Sequence, residues 1–440
     1  MDTKKKLLII FACLFIIVFG SVAGIAIGHI LQSTPPAPSK EAIRLQQAHL
    51  EILEENATAK SAQSYLNIHL PTAPDQPSPS FTPGIFKRGL KSHIVVGYVP
   101  SFELGEVTPQ DLSAVSVVCY DGIDVGQTGK ILNDQSLSLL SQSQVTDLVA
   151  TSHQDHDMVL LTAFASSNQI IKSITGNPRQ SAFNLSNRLV PLLETHGFNG
   201  VSIDIEGQYG KERAGFVSFM RYFRKDLLLK DKSAFLLLDT YANSAADPNN
   251  FYDIADLYPL VNDIFIMGYD MDDPSISSPN APLINENLGN SDIQSLLSYI
   301  QVVPASKLIL GVPFYGYDFP TRNQLPGSPT TSSDPVAVTW ASILAVGRKQ
   351  LWDPLSLTPW YRFKVGKQWH QTWFDNPVSI ALKTALADEM HLGGVGVWAL
   401  GMNGNDTQML AALQGGVKPL KGSQITRPAL IKRASKKKKK

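Results

Sequence analysis

The stretch "NGVSIDIEG", residues 199–207, ends an otherwise apolar or small run with two carboxylates, Asp204 and Glu206. Side chains of a β-strand alternate between its two faces. Ser202, Asp204 and Glu206 therefore share one face, and the residues between them form an apolar face. Such a pattern either caps a strand through hydrogen bonds to nearby backbone or holds carboxylates for chemistry, and the rest of the sequence discriminates between these interpretations.

Seven other short apolar runs have the character of strands, and most intervals between them have helical patterns. They are "HIVVGYVP" (93–100), "AVSVVCYDG" (114–122), "DMVLLTAFA" (157–165), "AFLLLDTY" (234–241), "DIFIMGYD" (263–270), "KLILGVPFYGYDF" (307–319) and "GGVGVWALG" (393–401). Eight strand–helix units in one domain predict an α/β fold, a (β/α)8 TIM barrel over residues 92–415. In a barrel the apolar face of "GVSIDIE" would contact helices, and its polar face would point into the C-terminal mouth, where barrel enzymes have their active sites.

Residues 320–378 are too numerous for a simple connection between the seventh and eighth strands. Within them, "TPWYRFKVGKQWHQTWFD" alternates aromatic and polar residues around a "VGKQ" turn, which predicts a small inserted β-hairpin. Its aromatic residues, Trp360, Tyr361, Trp369 and Trp373, either flank a sugar site or pack on the barrel, and packing is the more common role.

The N-terminus begins with "MDTKKK" and continues with residues 7–31, an apolar run without Asp, Glu, Lys or Arg. This run exceeds the roughly 20 residues that cross a bilayer and the roughly 7 to 15 of a signal-peptide core. The preceding lysines favour a cytoplasmic N-terminus, which places the rest of the chain outside. We interpret residues 1–31 as a cytoplasmic flank with an uncleaved transmembrane signal anchor. Cleavage of this segment, the weaker alternative, would make the protein secreted.

Two further segments flank the predicted barrel. Residues 32–91 combine a stretch of helical spacing with the proline-rich spacer "PTAPDQPSPSFTPG", and we interpret them as a stalk helix and linker. Residues 416–440 hold ten Lys or Arg and no acid, although the whole chain has 38 basic and 38 acidic residues. This tail is either a disordered, solvated run or a segment attracted to anionic wall polymers or lipid head groups. Because the remainder is net acidic, the folded part lacks the basic face that nucleic-acid binding needs.

Functional side chains also end two other predicted strands. "FIMGYD" ends in Tyr269 and Asp270, and "GVGVWALG" places Trp398 among small residues. Burying Asp204 and Glu206 together costs several kcal/mol unless they are hydrogen-bonded or used in function. Their proximity should raise the pKa of one of them, as a general acid near neutral pH requires. A phenol, a further carboxylate and an indole beside an acid pair suit the binding of a sugar ring.

At these residues the sequence resembles family 18 glycoside hydrolases, the chitinase-like group. "NGVSIDIE" is similar to the family's DGxDxDxE signature, "MGYD" to its MxYD motif, "GVPFYGYDF" to its strand-seven segment and "GGVGVWALG" to its strand-eight tryptophan segment. The run "TWFDNPVSIALKTALADEMHLGGVGVW" follows the family's order of aspartate, serine, lysine and glycine-rich strand. Four ordered motifs on different strands make this resemblance specific, and it covers roughly residues 92–415.

The resemblance implies hydrolysis of β-1,4 linkages next to N-acetylglucosamine, in chitin, chito-oligosaccharides or peptidoglycan, by a substrate-assisted retaining mechanism. Glu206 would protonate the glycosidic oxygen and later activate water, while the 2-acetamido oxygen of the substrate attacks the anomeric carbon. Asp204 would orient that acetamido group, and Tyr269 and Asp270 would hold it from the other side. Trp398 would form the hydrophobic floor of the adjoining sugar subsite. Neither a metal nor an organic cofactor is required.

Two positions depart from the family pattern, because Asn199 and Ser202 stand where typical chitinases have aspartates. We place Ser202 among the substrate-binding residues and expect it to donate a hydrogen bond to Asp204, with which it cannot share a proton. Asp204 should therefore stay ionised to lower pH. Together with "LLTAFASS" on the third strand, these departures are closer to bacterial spore-cortex and cell-wall N-acetylglucosaminidases than to secreted chitin degraders.

Three classes of function are compatible with the sequence. The first is a membrane-tethered glycosidase, the second is a catalytically silent chitin- or N-acetylglucosamine-binding lectin on the same barrel, and the third is an adhesion protein with the barrel as a spacer. The presence of Glu206, Asp204 and Tyr269 favours the enzyme. The sequence does not discriminate chitin from peptidoglycan or endo from exo action.

Overall fold

Eight parallel strands form a closed barrel in the computed structural model, which describes residues 94–285 and 290–415. The strands are β1 (Ile94–Pro100), β2 (Val117–Asp124), β3 (Met158–Ala165), β4 (Gly200–Ile205), β5 (Phe235–Tyr241), β6 (Asp263–Met267), β7 (Leu308–Pro313) and β13 (Gly394–Trp398). Consecutive strands pair from β1 to β7, and β13 closes the barrel by pairing with both β7 and β1. The predicted (β/α)8 barrel is confirmed.

Helices connect the strands and cover the outside of the barrel. They are α1 (Pro109–Ala114), α2 (Gln135–Leu139), α3 (Ser143–Gln154), α4 (Asn168–Gly176), α5 (Pro178–His196), α6 (Arg213–Lys230), α7 (Ile254–Leu257), α8 (Asp292–Tyr299), α9 (Trp340–Val346), α10 (Pro377–Glu389) and α11 (Thr407–Leu413). Helix α6 illustrates the packing, because Phe216, Phe219 and Phe223 recur every three or four residues and so share one face. All three are fully buried in the main hydrophobic core.

The strand β4 carries the opening motif and is fixed at its start. Gly200 allows β4 to approach β5 closely, since a Cβ atom at this position would lie 2.1 Å from the carbonyl oxygen of Phe235. Asn199 Oδ1 accepts a hydrogen bond from the backbone N–H of Val159 at 2.7 Å, which ties β4 to β3. Asn199, one of the two departures from the family pattern, thus has a structural role.

The interval between β7 and β13 contains a five-stranded antiparallel sheet. Its strands, in spatial order, are β10 (Leu351–Asp353), β11 (Thr358–Val365), β12 (Gln368–Trp373), β8 (Tyr315–Thr321) and β9 (Val336–Thr339). The predicted hairpin is present as β11 and β12, but the insertion is larger than predicted. The run 307–319, predicted as one strand, is interrupted at Phe314, and its second half leaves the barrel to become β8.

Aromatic residues of the predicted hairpin pack within this sheet. Trp360 and Trp373 are cross-strand partners whose rings stack at a centroid distance of 5.2 Å, and both are almost fully buried, as is Tyr361. The Trp369 ring lies 4.5 Å from the Lys364 ammonium nitrogen. None of the four predicted aromatic residues lines the cavity described below. The packing interpretation is therefore confirmed for Trp360, Tyr361 and Trp373.

The segments predicted outside the barrel lie outside the described residues. These are the signal anchor, the stalk and linker, and the basic tail of residues 416–440. Within residues 94–285 and 290–415, the helices are too short or too polar to cross a bilayer.

Candidate active site

A cavity of about 630 Å³ opens at the carboxyl ends of the barrel strands. Five residues that the sequence singled out line it: Asp204, Glu206, Tyr269, Asp270 and Trp398. The side chains at the ends of β4, β6 and β13 therefore converge, as their positions in the sequence predict. Further lining residues that bear on the chemistry are Tyr98, Asp121, Asp239, Tyr241 and Tyr315.

Asp204 and Glu206 form a hydrogen-bonded acid pair. Asp204 is only 6% exposed, and its Oδ1 atom has no hydrogen-bond partner. Burial, followed by the nearby charges of Asp239 and Glu206, raises the pKa of Asp204 well above its ordinary range. Burial and the charge of Asp270 also raise the pKa of Glu206. The expectation that Asp204 stays ionised to lower pH is therefore wrong, because desolvation and neighbouring carboxylates favour its protonated form.

Ser202 does not lie among the substrate-binding residues, where the sequence analysis placed it. Its side chain is fully buried and is not part of the cavity lining. Ser202 Oγ donates to Asp239 Oδ2 at 3.0 Å and lies 3.0 Å from the Tyr98 hydroxyl, so the expected bond to Asp204 is replaced by contacts with other strands. The structure places Ser202 behind the cavity wall, where it supports Asp239 instead of contacting substrate.

Asp239, near the end of β5, is the main residue that sequence reasoning missed. It is 1% exposed and accepts hydrogen bonds from Tyr98 and Ser202. Burial raises the pKa of Asp239 to about 8, against the lowering effect of those two hydrogen bonds. Its strand, "AFLLLDTY", ends in polar residues just as "GVSIDIE" does. The argument applied to β4 would have identified Asp239 and Tyr241 as well.

The backbone and side chain of Glu206 are held by neighbouring strands. Its backbone N–H donates to the Ala165 carbonyl at 2.8 Å, and its side chain is hydrogen-bonded to Tyr241. The Tyr252 hydroxyl donates to the Ile205 carbonyl at 2.9 Å, which fixes the end of β4. These contacts pre-organise the carboxyl group, a requirement for a general acid.

Asp121, within β2, lines the same cavity and adds a further acid. Burial, and then the charges of Asp124 and Glu206, raise the pKa of Asp121 to about 7. The segment "VVCYDG" of β2 becomes polar toward its end, as β4 does. The argument applied to β4 would therefore have identified Asp121 too.

Tyr269 and Asp270 follow β6 after Gly268, and both line the cavity. Asp270 has φ 55°, a left-handed conformation that residues other than glycine rarely adopt. Its backbone N–H donates to Asn280 Oδ1 at 2.7 Å, and its Oδ1 atom accepts from the hydroxyls of Tyr315 and Tyr317 at 2.5 and 2.9 Å. Both phenols come from β8, so the inserted sheet positions Asp270.

Aromatic rings form the floor of the cavity. Trp398 ends β13 with its ring 5.7 Å from that of Tyr98, which in turn lies 4.9 Å from Phe265. Gly311 and Gly396 make room for Phe265, because a Cβ atom at either position would lie 2.5 Å from its ring. The apolar face of a sugar ring suits such a floor.

Acidic and basic side chains are unequally represented around the cavity. Five carboxylates line it, and among the described lining residues there is no Lys, Arg or His. Within the described part of the chain, no group of three or more His, Cys, Asp or Glu side chains is arranged to hold a metal ion. The acid pair has the raised pKa values that allow a carboxyl group to protonate a leaving oxygen near neutral pH.

The closed (β/α)8 barrel holds a protonatable acid pair at its C-terminal mouth, above an aromatic floor. This combination of fold and site is of the glycosidase type. The sequence model of "Glycosyl hydrolases family 18" matches residues 76–403. The chain belongs to this family, and the resemblance seen in its motifs is confirmed.

Several characterised or named proteins are similar to the chain. It is 28% identical over 303 residues to YdhD of Bacillus subtilis (strain 168), named as a sporulation-specific glycosylase, with 66% of each protein covered. It is 30% identical over 171 residues to human di-N-acetylchitobiase, with 34% of this chain and 42% of the relative covered. The chain thus spans less than two thirds of the length of these relatives.

Solved structures share the fold. A family 18 chitinase of Cycas revoluta in complex with (GlcNAc)3 superposes with a TM-score of 0.64 at 17% identity, covering 73% of this chain and 98% of the chitinase. A chitinase-like agglutinin of Robinia pseudoacacia has a TM-score of 0.62 at 21% identity, covering 73% of this chain and all (100%) of the agglutinin. At these identities the likeness concerns the fold.

Proposed function

We propose that the chain is an extracytoplasmic glycoside hydrolase that cleaves β-1,4 linkages next to N-acetylglucosamine by substrate-assisted retaining catalysis. The observation that carries this proposal is the hydrogen-bonded pair of Asp204 and Glu206 in the cavity, with raised pKa values and phenols around it. Membership of family 18, similarity to a chitobiase and the GlcNAc oligomer bound to a chitinase of the same fold support the substrate class.

The proposed first step breaks the glycosidic C–O bond. Glu206 donates its proton to the leaving oxygen while the acetamido oxygen of the substrate attacks the anomeric carbon, which gives a cyclic oxazolinium intermediate. Asp204 accepts a hydrogen bond from the acetamido N–H and stabilises the positive charge that develops on this group. Tyr269 and Asp270 hold the acetamido group from the other side, and Trp398 supports the sugar ring.

The proposed second step opens the intermediate with water. Glu206, now ionised, removes a proton from the water, whose oxygen bonds to the anomeric carbon. The two successive inversions retain the configuration. No residue of the protein forms a covalent bond with the sugar, so Glu206 is the one side chain whose proton is needed in both steps.

Replacement of Glu206 by Gln tests this proposal on an aryl β-chitobioside. We expect turnover to fall by a factor of about 10² to 10⁴, since this is the usual contribution of general acid–base catalysis. Glu194→Gln, an exposed residue of α5, is the matched control and should retain full activity. Nuclear magnetic resonance of the first product should show the β-anomer. Binding of chito-oligosaccharides without turnover by the parent protein would support a lectin and overturn the enzyme.

The proposed location rests on the sequence alone. Residues 7–31 would anchor the chain in the membrane with the barrel outside, or the protein would be secreted if this segment is removed. The basic tail would add attraction to anionic wall polymers. Protease added to intact cells should degrade the barrel of the full-length chain, and a barrel protected until the cells are lysed would contradict this location.

A further inference from the structure

The backbone of Asp270 has a conformation that its residue type disfavours. Its φ angle of 55° lies in the left-handed region, and such a conformation persists where surrounding contacts hold it. Two of these contacts come from one residue. Asn280 Oδ1 accepts from the backbone N–H of Asp270 at 2.7 Å, and the Asn280 carbonyl accepts from the backbone N–H of Met271 at 2.9 Å. Asn280 therefore holds the backbone from which the Asp270 side chain extends.

The Asn280 side chain also contacts the inserted sheet. It is fully buried, and its Nδ2 atom donates to the Tyr315 carbonyl of β8 at 3.4 Å. The Tyr315 hydroxyl donates to Asp270 Oδ1 at 2.5 Å, so the three residues form a closed ring of contacts. An amide suits this place, because it carries an acceptor and a donor on one planar group. Asn280 thus joins the segment after β6 to β8, where both contribute to the cavity lining.

The segment that carries Asn280 is itself held by buried groups outside the cavity. Lys383 Nζ of α10, which is fully buried, donates to the carbonyl of Ala281 at 2.7 Å. On the other side, a Cβ atom at Gly268 would lie 2.6 Å from Asp292 Oδ1, so the backbone after β6 packs directly on the start of α8. None of these five residues lines the cavity. Asn280 is therefore a fixed support behind the cavity wall.

We propose that Asn280 is a positioning residue for the reaction, which acts by fixing Asp270 against Tyr315. The inference rests on the proposed function, in which Asp270 holds the acetamido group that attacks the anomeric carbon. The transition state requires this group in one orientation, whereas the ground state also binds through the rest of the sugar. Loss of the Asn280 side chain should therefore lower kcat more than it raises KM.

Asn280→Ala tests this, because it removes the side-chain contacts with Asp270 and Tyr315 and keeps the backbone carbonyl. We expect kcat/KM for a chito-oligosaccharide to fall about 100-fold, the usual consequence of a misplacement of about 1 Å, with most of the loss in kcat. A change confined to KM, or no change in either constant, would contradict the proposal.

Asn199→Ala is the matched control. Asn199 Oδ1 accepts from a backbone N–H at the same distance, 2.7 Å, but at the start of β4 and so at the opposite end of the barrel from the cavity. This variant should have a lower Tm, and its kcat/KM should stay within about twofold of the parent, because distant sites act independently. Equal losses of kcat/KM in Asn199→Ala and Asn280→Ala would assign Asn280 a structural role and overturn the proposal.

A double variant shows whether Asn280 acts through Asp270. In a protein that already carries Asp270→Ala, Asn280→Ala should change kcat/KM by less than about threefold, because the group that Asn280 positions is absent. A structural role would give independent effects, and the two losses would multiply. Asn280→Ser leaves a smaller cavity and should show the same dependence with a smaller loss, so it decides the question if Asn280→Ala does not fold.

Hydrogen exchange without substrate keeps this inference distinct from the proposed function. The Asp270 amide should exchange about tenfold faster in Asn280→Ala than in the parent, since one hydrogen bond contributes on that order, and at the parental rate in Asn199→Ala. Equal rates in Asn280→Ala and the parent would overturn the role of Asn280. If the parent turns over no chito-oligosaccharide, the proposed function fails, and the exchange rate still decides whether Asn280 holds Asp270.

Discussion

At the scale of single residues, Asp239 should link stability to pH. Burial raises the pKa of Asp239 from 3.8 to about 8, so the folded state binds this proton more tightly than the unfolded state. Such a group contributes stability fully below its unfolded pKa, and this contribution is lost as the pH rises through its folded pKa. Burial of the Asp239 carboxyl group therefore lowers the free energy of unfolding most above pH 8.

Asp239→Asn should accordingly be more stable than the parent at alkaline pH. We expect Tm of the variant to exceed that of the parent at pH 8, with the difference shrinking as the pH falls toward 3.8, where Asp239 begins to be protonated in the unfolded state as well. Scanning calorimetry of both proteins between pH 4 and pH 8.5 measures this. A lower Tm for the variant at pH 8 would show that hydrogen bonding to the carboxylate outweighs its desolvation.

The sequence predicted site residues where the position along a strand was sufficient. Asp204, Tyr269 and Trp398 follow or end buried strands, and strand ends meet at one mouth of a barrel. The partner of Ser202 could not be predicted in this way. In register Ser202 lies beside Leu237, and its contact with Asp239 depends on side-chain orientation across the barrel interior.

At the scale of elements, a buried charge cluster joins α10 to the rest of the barrel. Lys383 of α10 is fully buried, and its Nζ atom donates to Asp375 Oδ2 at 2.9 Å and to the Ala281 carbonyl at 2.7 Å. Asp292, at the start of α8, lies 3.5 Å from the same nitrogen. Burial raises the pKa of Asp292 to about 7, despite the lowering effect of Lys383. The order of aspartate, serine and lysine on which the resemblance rests thus includes two members of a structural ion cluster, Asp375 and Lys383.

Lys383→Met should destabilise the protein strongly. Removal of the cation leaves two buried carboxylates without compensation, which costs about 3–5 kcal/mol in comparable cases. The loss in the free energy of unfolding should be larger at pH 8 than at pH 5, because burial raises the pKa of Asp292 to about 7 and this group can take up a proton at the lower pH. Urea denaturation of this variant and of Lys349→Met, an exposed control in the inserted segment, measures the difference. Equal losses at both pH values would contradict the electrostatic explanation.

Only part of the inserted sheet could be predicted from the sequence. Local alternation and the turn predicted β11 and β12, because hairpin contacts are close in sequence. The pairing of β12 with β8, which joins Trp373 to Tyr317, is a contact between distant segments and leaves no local pattern. For the same reason the two phenols that bind Asp270 could not be assigned to it from the sequence.

At the scale of the whole molecule, charge is distributed unevenly. The chain has equal numbers of acidic and basic residues, 38 of each, but the described lining of the cavity has five carboxylates and no basic side chain. Low-dielectric walls strengthen the field of such a cleft. As the pH rises and these carboxyl groups lose their protons, the cavity should increasingly favour neutral or cationic sugars over anionic ones, which bears on the choice between chitin and peptidoglycan.

A neutral chito-oligosaccharide should be a better substrate than a peptidoglycan fragment of equal length, whose muramic acid carries a lactyl carboxylate. Two unit charges about 12 Å apart at an effective dielectric constant of about 20 interact with ~1.4 kcal/mol, or about tenfold in kcat/KM. This ratio should narrow as ionic strength rises from about 0.01 to 1 M, since the screening length falls from about 30 to 3 Å. The methyl ester of the same fragment removes the charge and keeps the shape, so it should recover most of the difference. If the free acid is cleaved as fast as its ester at low salt, the charge of the cleft does not select the substrate.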